Sequence, residues 1–269
     1  MKDNIQFLDV TAPGIKPKRG HKHLITQTID EVVGIFKSMG FGVADGPEIE
    51  DEFHNFDALN VPKDHPARDM QDTFWVKDPK GSNDEKYQKS DIVLRTHTSP
   101  VQIHYMEENK PPIRIIAPGK VFRNEATDAT HEAQFYQVEG LMVDENVNLS
   151  NLKAVLQNFF ERFFGDGVNI RFRPGFFPFV EPGLEVDMSC FKCKDKVNSS
   201  CSVCKGSGWI EVMGAGMVHP NVLKSVNIDP NKYQGFAFGG GIDRFIMLKY
   251  GIDDVRSLYN GDLRLVKQF

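Results

Sequence analysis

The strongest constraint on this chain is a succession of β-prone segments with no regular alternation of strand and helix. These segments are Asp91 to Arg95, Ile113 to Ala117, Lys120 to Asn124, Phe135 to Val143, Ile170 to Arg173, Glu185 to Met188 and Trp209 to Met213. Parallel neighbours need a crossover of a dozen or more residues, usually helical, whereas antiparallel neighbours need only a short loop. Several of these runs are separated by such loops, so the pattern predicts an α+β fold on a mostly antiparallel sheet. Helical spacing recurs from Lys22 to Met39, through Leu24, Ile25, Ile29, Val32, Val33 and Phe36, and Gly40 stops it. A second helix is expected from Ser150 to Gly165, its Leu and Phe stripe at core spacing. Ser99-Pro100 and His219-Pro220 read as helix starts, and a last long helix is expected from about Gly240 to Tyr250.

Composition removes several classes of function. The 269 residues are 40% hydrophobic and 26% charged with net charge −5, as in an ordinary globular protein. That balance gives no chain-wide attraction to nucleic acid or anionic membrane. No apolar run approaches the roughly 20 residues that span a bilayer, and the N-terminus has no signal pattern; the expected location is cytoplasmic. Residues 1–20 read as an extended lead-in and 21–269 as one domain. No GxxxxGK[ST] loop, GxGxxG after a strand, HExxH or GxSxG elbow occurs, so any ATP chemistry must follow another design.

All four cysteines fall in one short polar segment, as Cys190-Phe-Lys-Cys193 and Cys201-Ser-Val-Cys204. Two disulfides or four unrelated thiols are alternatives, but two CxxC pairs also match a tetrahedral thiolate zinc site. Four thiolates leave no open position for water, so such a zinc is structural. The reading taken is a zinc-binding insertion at 188–208.

Four other segments gather charge, glycine and aromatic residues beyond what a core needs. Arg95 to Gln102 places polar side chains at a helix N-terminus, where an anion is stabilised. Gly119 to Gly140 sets Arg123 and Glu125 on one strand face and Phe135, Gln137 and Glu139 on one face of the next. Arg173 to Gly183 carries Phe177, Phe179 and Glu181 on one side. Gly235 to Phe245 runs three glycines, Gly239 to Gly241, into a helix with Arg244 in its first turn, as though something needs close approach to the backbone.

Together with Thr26 to Asp30, Asn55 to Asn60, His65 to Asp69, Phe122 to His131 and Gly214 to Asn221, these segments closely resemble, in order, the catalytic domain of the bacterial phenylalanyl–tRNA synthetase alpha subunit, a class II aminoacyl-tRNA synthetase. The resemblance runs from about Asp9 to Phe269. It implies a class II antiparallel sheet, activation of L-phenylalanine with ATP and Mg²⁺, and transfer to tRNA(Phe). It also implies a beta-subunit partner in an α₂β₂ heterotetramer. Arg123 would hold the α-phosphate and carboxylate, and Arg244 the γ-phosphate. Glu125, His131 and Phe135 would meet the nucleotide, and Gly239 and Gly241 would let it approach the backbone. His97, Ser99 and Gln102 would position the amino acid, and Gln137 and Glu139 would bind its ammonium. Phe177 and Phe179 would contact the phenyl ring, with Ala237 at the far end, and Glu181 would hold magnesium together with the beta subunit. The family's N-terminal coiled-coil arm has no counterpart in these residues. A non-catalytic class II paralogue or a zinc-ribbon RNA-binding module is the competing reading; it predicts loss of the motif arginines, and both are present.

Overall fold

The computed structural model describes residues 11, 14, 20–68, 72–76, 91–190, 192–193, 201 and 203–269. Most of the expected lead-in, and the whole segment 194–200 between the cysteine pairs, lie outside the described residues. A seven-stranded sheet organises the rest. In chain order its strands are β1 (Gly42–Val43), β4 (Ile113–Phe122), β5 (Gln134–Asp144), β6 (Ile170–Phe177), β7 (Val180–Ser189), β8 (Trp209–Val218) and β9 (Gln234–Gly241). The spatial order is β1-β4-β5-β9-β8-β7-β6. Every pairing is antiparallel except the short edge β1, which runs parallel to β4. The remaining strands, β2 (Ile49–Asp51) and β3 (Ile92–Leu94), form a separate antiparallel pair.

Period-two alternation assigns each face of the sheet. Along β5, Val138 points into a core shared with helices α1 (Leu24–Ser38), α3 (Leu149–Phe164) and α5 (Ile242–Tyr250). Leu141 and Val143 point the other way, towards α2 (Ser99–Glu108), α4 (Pro220–Ser225) and the turn at 53–61. Aromatic packing fills the first face. Phe36 of α1 stacks on Phe159 of α3 at 4.8 Å and on Phe238 of β9 at 5.2 Å. The Phe stripe of α3 is therefore packing, as its spacing indicates. The short C-terminal helix α6 (Leu263–Val266) closes the chain.

Local chemistry moved several boundaries. Ile113–Ala117 and Lys120–Asn124 are one strand, because Pro118 and Gly119 continue the ladder opposite Val138 and Gln137. Arg123 and Glu125 thus lie beyond the strand end and not on it. The glycine run is not a helix start: Gln234–Gly241 is a central strand, and α5 begins at Ile242 with Gly241 as its cap. Asn148 caps α3 through a reciprocal exchange with Asn151, so the helix starts one residue before Ser150. Thr98 precedes α2, and Ser99 already belongs to its first turn. Phe177 ends β6 and Phe179 sits in the tight turn before β7, so the two are hairpin neighbours and do not alternate along one strand. The four cysteines close the β7–β8 connection with no disulfide among them, against the disulfide alternative.

Glycine is required where the sheet brings a ring onto backbone. Gly140 pairs with Phe238, and a Cβ at Gly140 would sit 2.1 Å from Phe238 Cζ. Gly140→Val should therefore overpack the sheet and cost about 1–3 kcal/mol, read as a lowered urea midpoint with an unchanged slope.

Candidate active site

A cavity of about 480 Å³ opens on the sheet face that α1, α3 and α5 leave uncovered. Three kinds of wall meet in it. One is apolar, with Phe177, Phe179, Val180, Ala215, Val218 and Ala237. Phe177 and Phe179 stack with centroids 6.0 Å apart at 25°, and Gly214 leaves room for the Phe177 ring, whose Cζ is 3.0 Å from where a Cβ would stand.

The second wall is a buried carboxylate. Glu139 points inward from β5 and is 6% exposed. Its Oε2 accepts from Ser99 Oγ at 2.5 Å and Gln102 Nε2 at 2.8 Å, and its Oε1 accepts from Gln137 Nε2 at 2.8 Å. The anion at the start of α2 is therefore the protein's own, reached by the Thr98 N–H as well as by the Ser99 hydroxyl. Gly239 lies opposite Glu139, and a Cβ there would come within 2.7 Å of Glu139 Cγ. Gln137 Oε1 is buried with no hydrogen-bond partner among the described residues. A carboxylate beside an unpaired amide oxygen is an acceptor set suited to a cation with several N–H bonds.

The third wall is cationic. Arg244, in the first turn of α5, and Arg123, just past β4, both line the cavity. Arg123 lies over the Phe135 ring at 5.0 Å and donates from Nε to Thr96 O at 3.3 Å. Burial pulls Arg244 below its usual value, with Glu211 opposing. It makes no hydrogen bond or ion pair among the described residues, so a guanidinium stands ready for an anion. His97 bridges this cavity and a neighbouring one of about 300 Å³. Burial, with the charges of Arg123 and Arg95, pulls its pKa down to about 3, so the ring is neutral at physiological pH. Its Nδ1 has no partner among the described residues. Arg95 itself is scaffolding: its donors go to Lys120 O, Gly46 O and Pro47 O.

The fold thus brings together His97, Ser99, Gln102, Arg123, Phe135, Gln137, Glu139, Phe177, Phe179, Ala237, Gly239, Gly241 and Arg244, each singled out in the sequence. Three others stand apart. Glu125 lines the smaller cavity, 4.0 Å from Arg123 Nη1. His131 is exposed and held by Asp128 at 3.0 Å. Glu181 is exposed on β7 and lines neither cavity. The carboxylate that does reach the cationic wall is Glu211 of β8, which the motifs did not single out. Its only sequence signal is the alternation along Trp209 to Met213.

An acceptor set, an apolar wall and a cationic wall on one antiparallel sheet define a class II synthetase core, and the sequence profile of the family described as "tRNA synthetases class II core domain (F)" matches residues 7–269. The chain is 53% identical over 264 residues to a phenylalanine–tRNA ligase alpha subunit of Caldanaerobacter subterraneus, covering 98% of this chain and 74% of that one. It is 55% identical over 262 residues to another of that name from Dehalococcoides mccartyi, covering 97% and 73%. The chain belongs to the phenylalanine–tRNA ligase alpha-subunit family. The crystal structure of pyrrolysyl-tRNA synthetase from Desulfitobacterium hafniense shares the fold, with a TM-score of 0.64 at 15% identity over 90% of this chain and 75% of that one.

Burial is the largest influence on Glu139 and pushes its carboxyl up to about 7, against the lowering effects of Ser99, the Thr98 N–H and the charges of Arg123 and Arg95. The folded chain then holds this proton more tightly than the unfolded chain, whose carboxyl titrates near 4.5. The contribution is complete below that value and is lost as pH rises to about 7. Glu139→Gln should lack this decline, on the order of 3 kcal/mol, in stability curves of the ligand-free protein.

Proposed function

We propose that this chain activates L-phenylalanine with ATP, forming phenylalanyl-adenylate, and passes the phenylalanyl group to tRNA(Phe). The juxtaposition of Glu139 with the Phe177–Phe179 wall carries this reading, because it fits an ammonium and a phenyl ring on one small molecule. The ammonium would donate to Glu139 and to Gln137 Oε1, and so stabilise the carboxylate as an anion. The ring would lie against Phe177 and Phe179, with the small Ala237 at the end of the slot.

Arg123 is placed to hold the carboxylate and α-phosphate as negative charge builds between them, and Arg244 to hold the outer phosphates. His97, neutral, offers one N–H and one lone pair beside the reacting carboxyl. Phe135, beneath Arg123, offers an aromatic face to the adenine, with Glu125 and His131 nearer the nucleotide's outer edge. No side chain need form a covalent bond: positioning and charge stabilisation carry the step. A hard cation suits the cationic wall because Glu211 brings an exposed carboxylate there. Mg²⁺ bound by it and by phosphate oxygens would neutralise charge on the leaving pyrophosphate. Glu181, on the surface, remains a candidate ligand at a contact with the beta subunit.

The cysteine cluster fits zinc. Cys190 Sγ and Cys201 Sγ are 3.9 Å apart, Cys193 Sγ and Cys204 Sγ 3.4 Å, and all four sulfurs lie within 4.8 Å of one another. A tetrahedral site with Zn–S near 2.3 Å has edges of about 3.8 Å. Backbone N–H groups of Cys204 and Val203 pull the Cys201 thiol down to about 6, favouring the thiolate that zinc needs. The reading extends to a cytoplasmic α₂β₂ heterotetramer with the beta subunit; among the described residues no helix is long and apolar enough to cross a membrane.

Phenylalanine-dependent ATP–pyrophosphate exchange, with the chain alone and with its beta subunit, tests the activity. Exchange that appears or rises with the partner is expected, and none from folded protein in either case would favour the non-catalytic reading. Arg244→Ala should weaken ATP about 10- to 100-fold, the loss of a charged hydrogen-bond partner, and leave phenylalanine binding unchanged in calorimetry. Cys193→Ser with Cys204→Ser should abolish the thiolate charge-transfer bands of the Co²⁺-loaded chain.

A further inference from the structure

A second cluster of ligand-type side chains lies on the outer side of α2, away from the residues that hold Glu139. Glu50 of β2, His54 of the helical turn at Phe53–Asp57 and His104 of α2 each place one ligand atom within 4.8 Å of the other two. Glu50 is 4% exposed, and both its oxygens face His104 Nε2, at 3.2 and 3.0 Å. His54 Nδ1 is held by Asp51 Oδ1 at 2.8 Å. Its Nε2 points towards Glu107 Oε2, 3.3 Å away. A carboxylate on one ring nitrogen orients a metal-binding histidine through the other; on His54 a cation at Nε2 would replace the contact with Glu107. The two imidazoles stack with centroids 4.0 Å apart at 23°.

We propose that Glu50, His54 and His104 form a second metal site, separate from the cysteines, that takes a zinc-class divalent cation. Two imidazoles and a carboxylate suit zinc. Three carboxylates, Glu50, Asp51 and Glu107, gather around the two rings, a balance that suits a dication. Bonds near 2.0–2.1 Å require the ligand atoms to close to about 3.3 Å. His54 must therefore swing out of the stack onto the shared cation. The ion takes the place of the proton between Glu50 and His104, and Glu107 stands beside both rings as a fourth ligand or a second-shell acceptor. Occupancy would tie β2 and the turn at 53–61, which supplies Leu59 to the cavity, to α2, which supplies Ser99, Gln102 and Met106.

The test is zinc binding by the full chain after metal removal. Two equivalents should remain through gel filtration in metal-free buffer. Cys193→Ser with Cys204→Ser should keep one, and its Co²⁺ complex should show ligand-field absorption without thiolate charge transfer. His54→Asn with His104→Asn should lose that equivalent and retain the cysteine-bound one. If the cysteine variant fails to fold, wild-type chain holding one equivalent of zinc can be titrated with Co²⁺, and His104→Asn alone should remove the thiolate-free spectrum. One equivalent only in the wild type, or a thiolate-free site that persists in the histidine variants, would overturn the proposal.

Discussion

A carboxylate buried at the centre of a sheet is costly unless hydrogen bonds and dipoles surround it. Glu139 meets that condition through Ser99, Gln102 and Gln137, with the start of α2 aimed at it. Much of the site follows from this single requirement. α2 must start beside β5, which fixes Ser99 and Gln102. β9 must be glycine at the position facing Glu139, which leaves the cavity above it open. The arginines then collect at the other end of the same face, as a site binding a zwitterion and a polyphosphate needs.

The opposite sheet face supplies the rigidity. Phe36, Phe159 and Phe238 stack through α1, α3 and β9, and Gly140 admits the Phe238 ring onto the backbone of β5. β5 thus carries both functions by alternation: Val138 anchors the strand in the core, while Gln137 and Glu139 face the cavity. Precise placement of a charged group depends on this coupling, because a loosely packed strand could not hold three donors on one carboxylate.

Much of the architecture was legible in the sequence. The absence of strand–helix alternation gave the antiparallel sheet, and the apolar spacing gave α1 and α3. The residues at the cavity could be named because their motifs pair charge with glycine or aromatic residues. What failed did so for physical reasons. Gly239 to Gly241 looks like the approach to a helix because glycine is poor in strands, yet here its lack of a side chain is what the strand supplies. Pro118-Gly119 looks like a turn, but its neighbours' pairing with β5 overrides local preference. Arg123 and Glu125 were placed on a strand that ends before them. Glu211 carried only the alternation of its strand, and the Glu50, His54 and His104 cluster no local signal, since their meaning arises only when segments more than fifty residues apart meet.

The role proposed for Glu139 is that of an acceptor for a substrate ammonium. The most direct measurement compares, by calorimetry, the affinities of L-phenylalanine and of 3-phenylpropanoate, which has the same ring and carboxylate but no amine, in wild type and in Glu139→Gln. Wild type should prefer phenylalanine by roughly tenfold or more, as a charged hydrogen bond implies, and the substitution should abolish most of this preference with little change in binding of the amine-free acid. An equal preference in both proteins would contradict it.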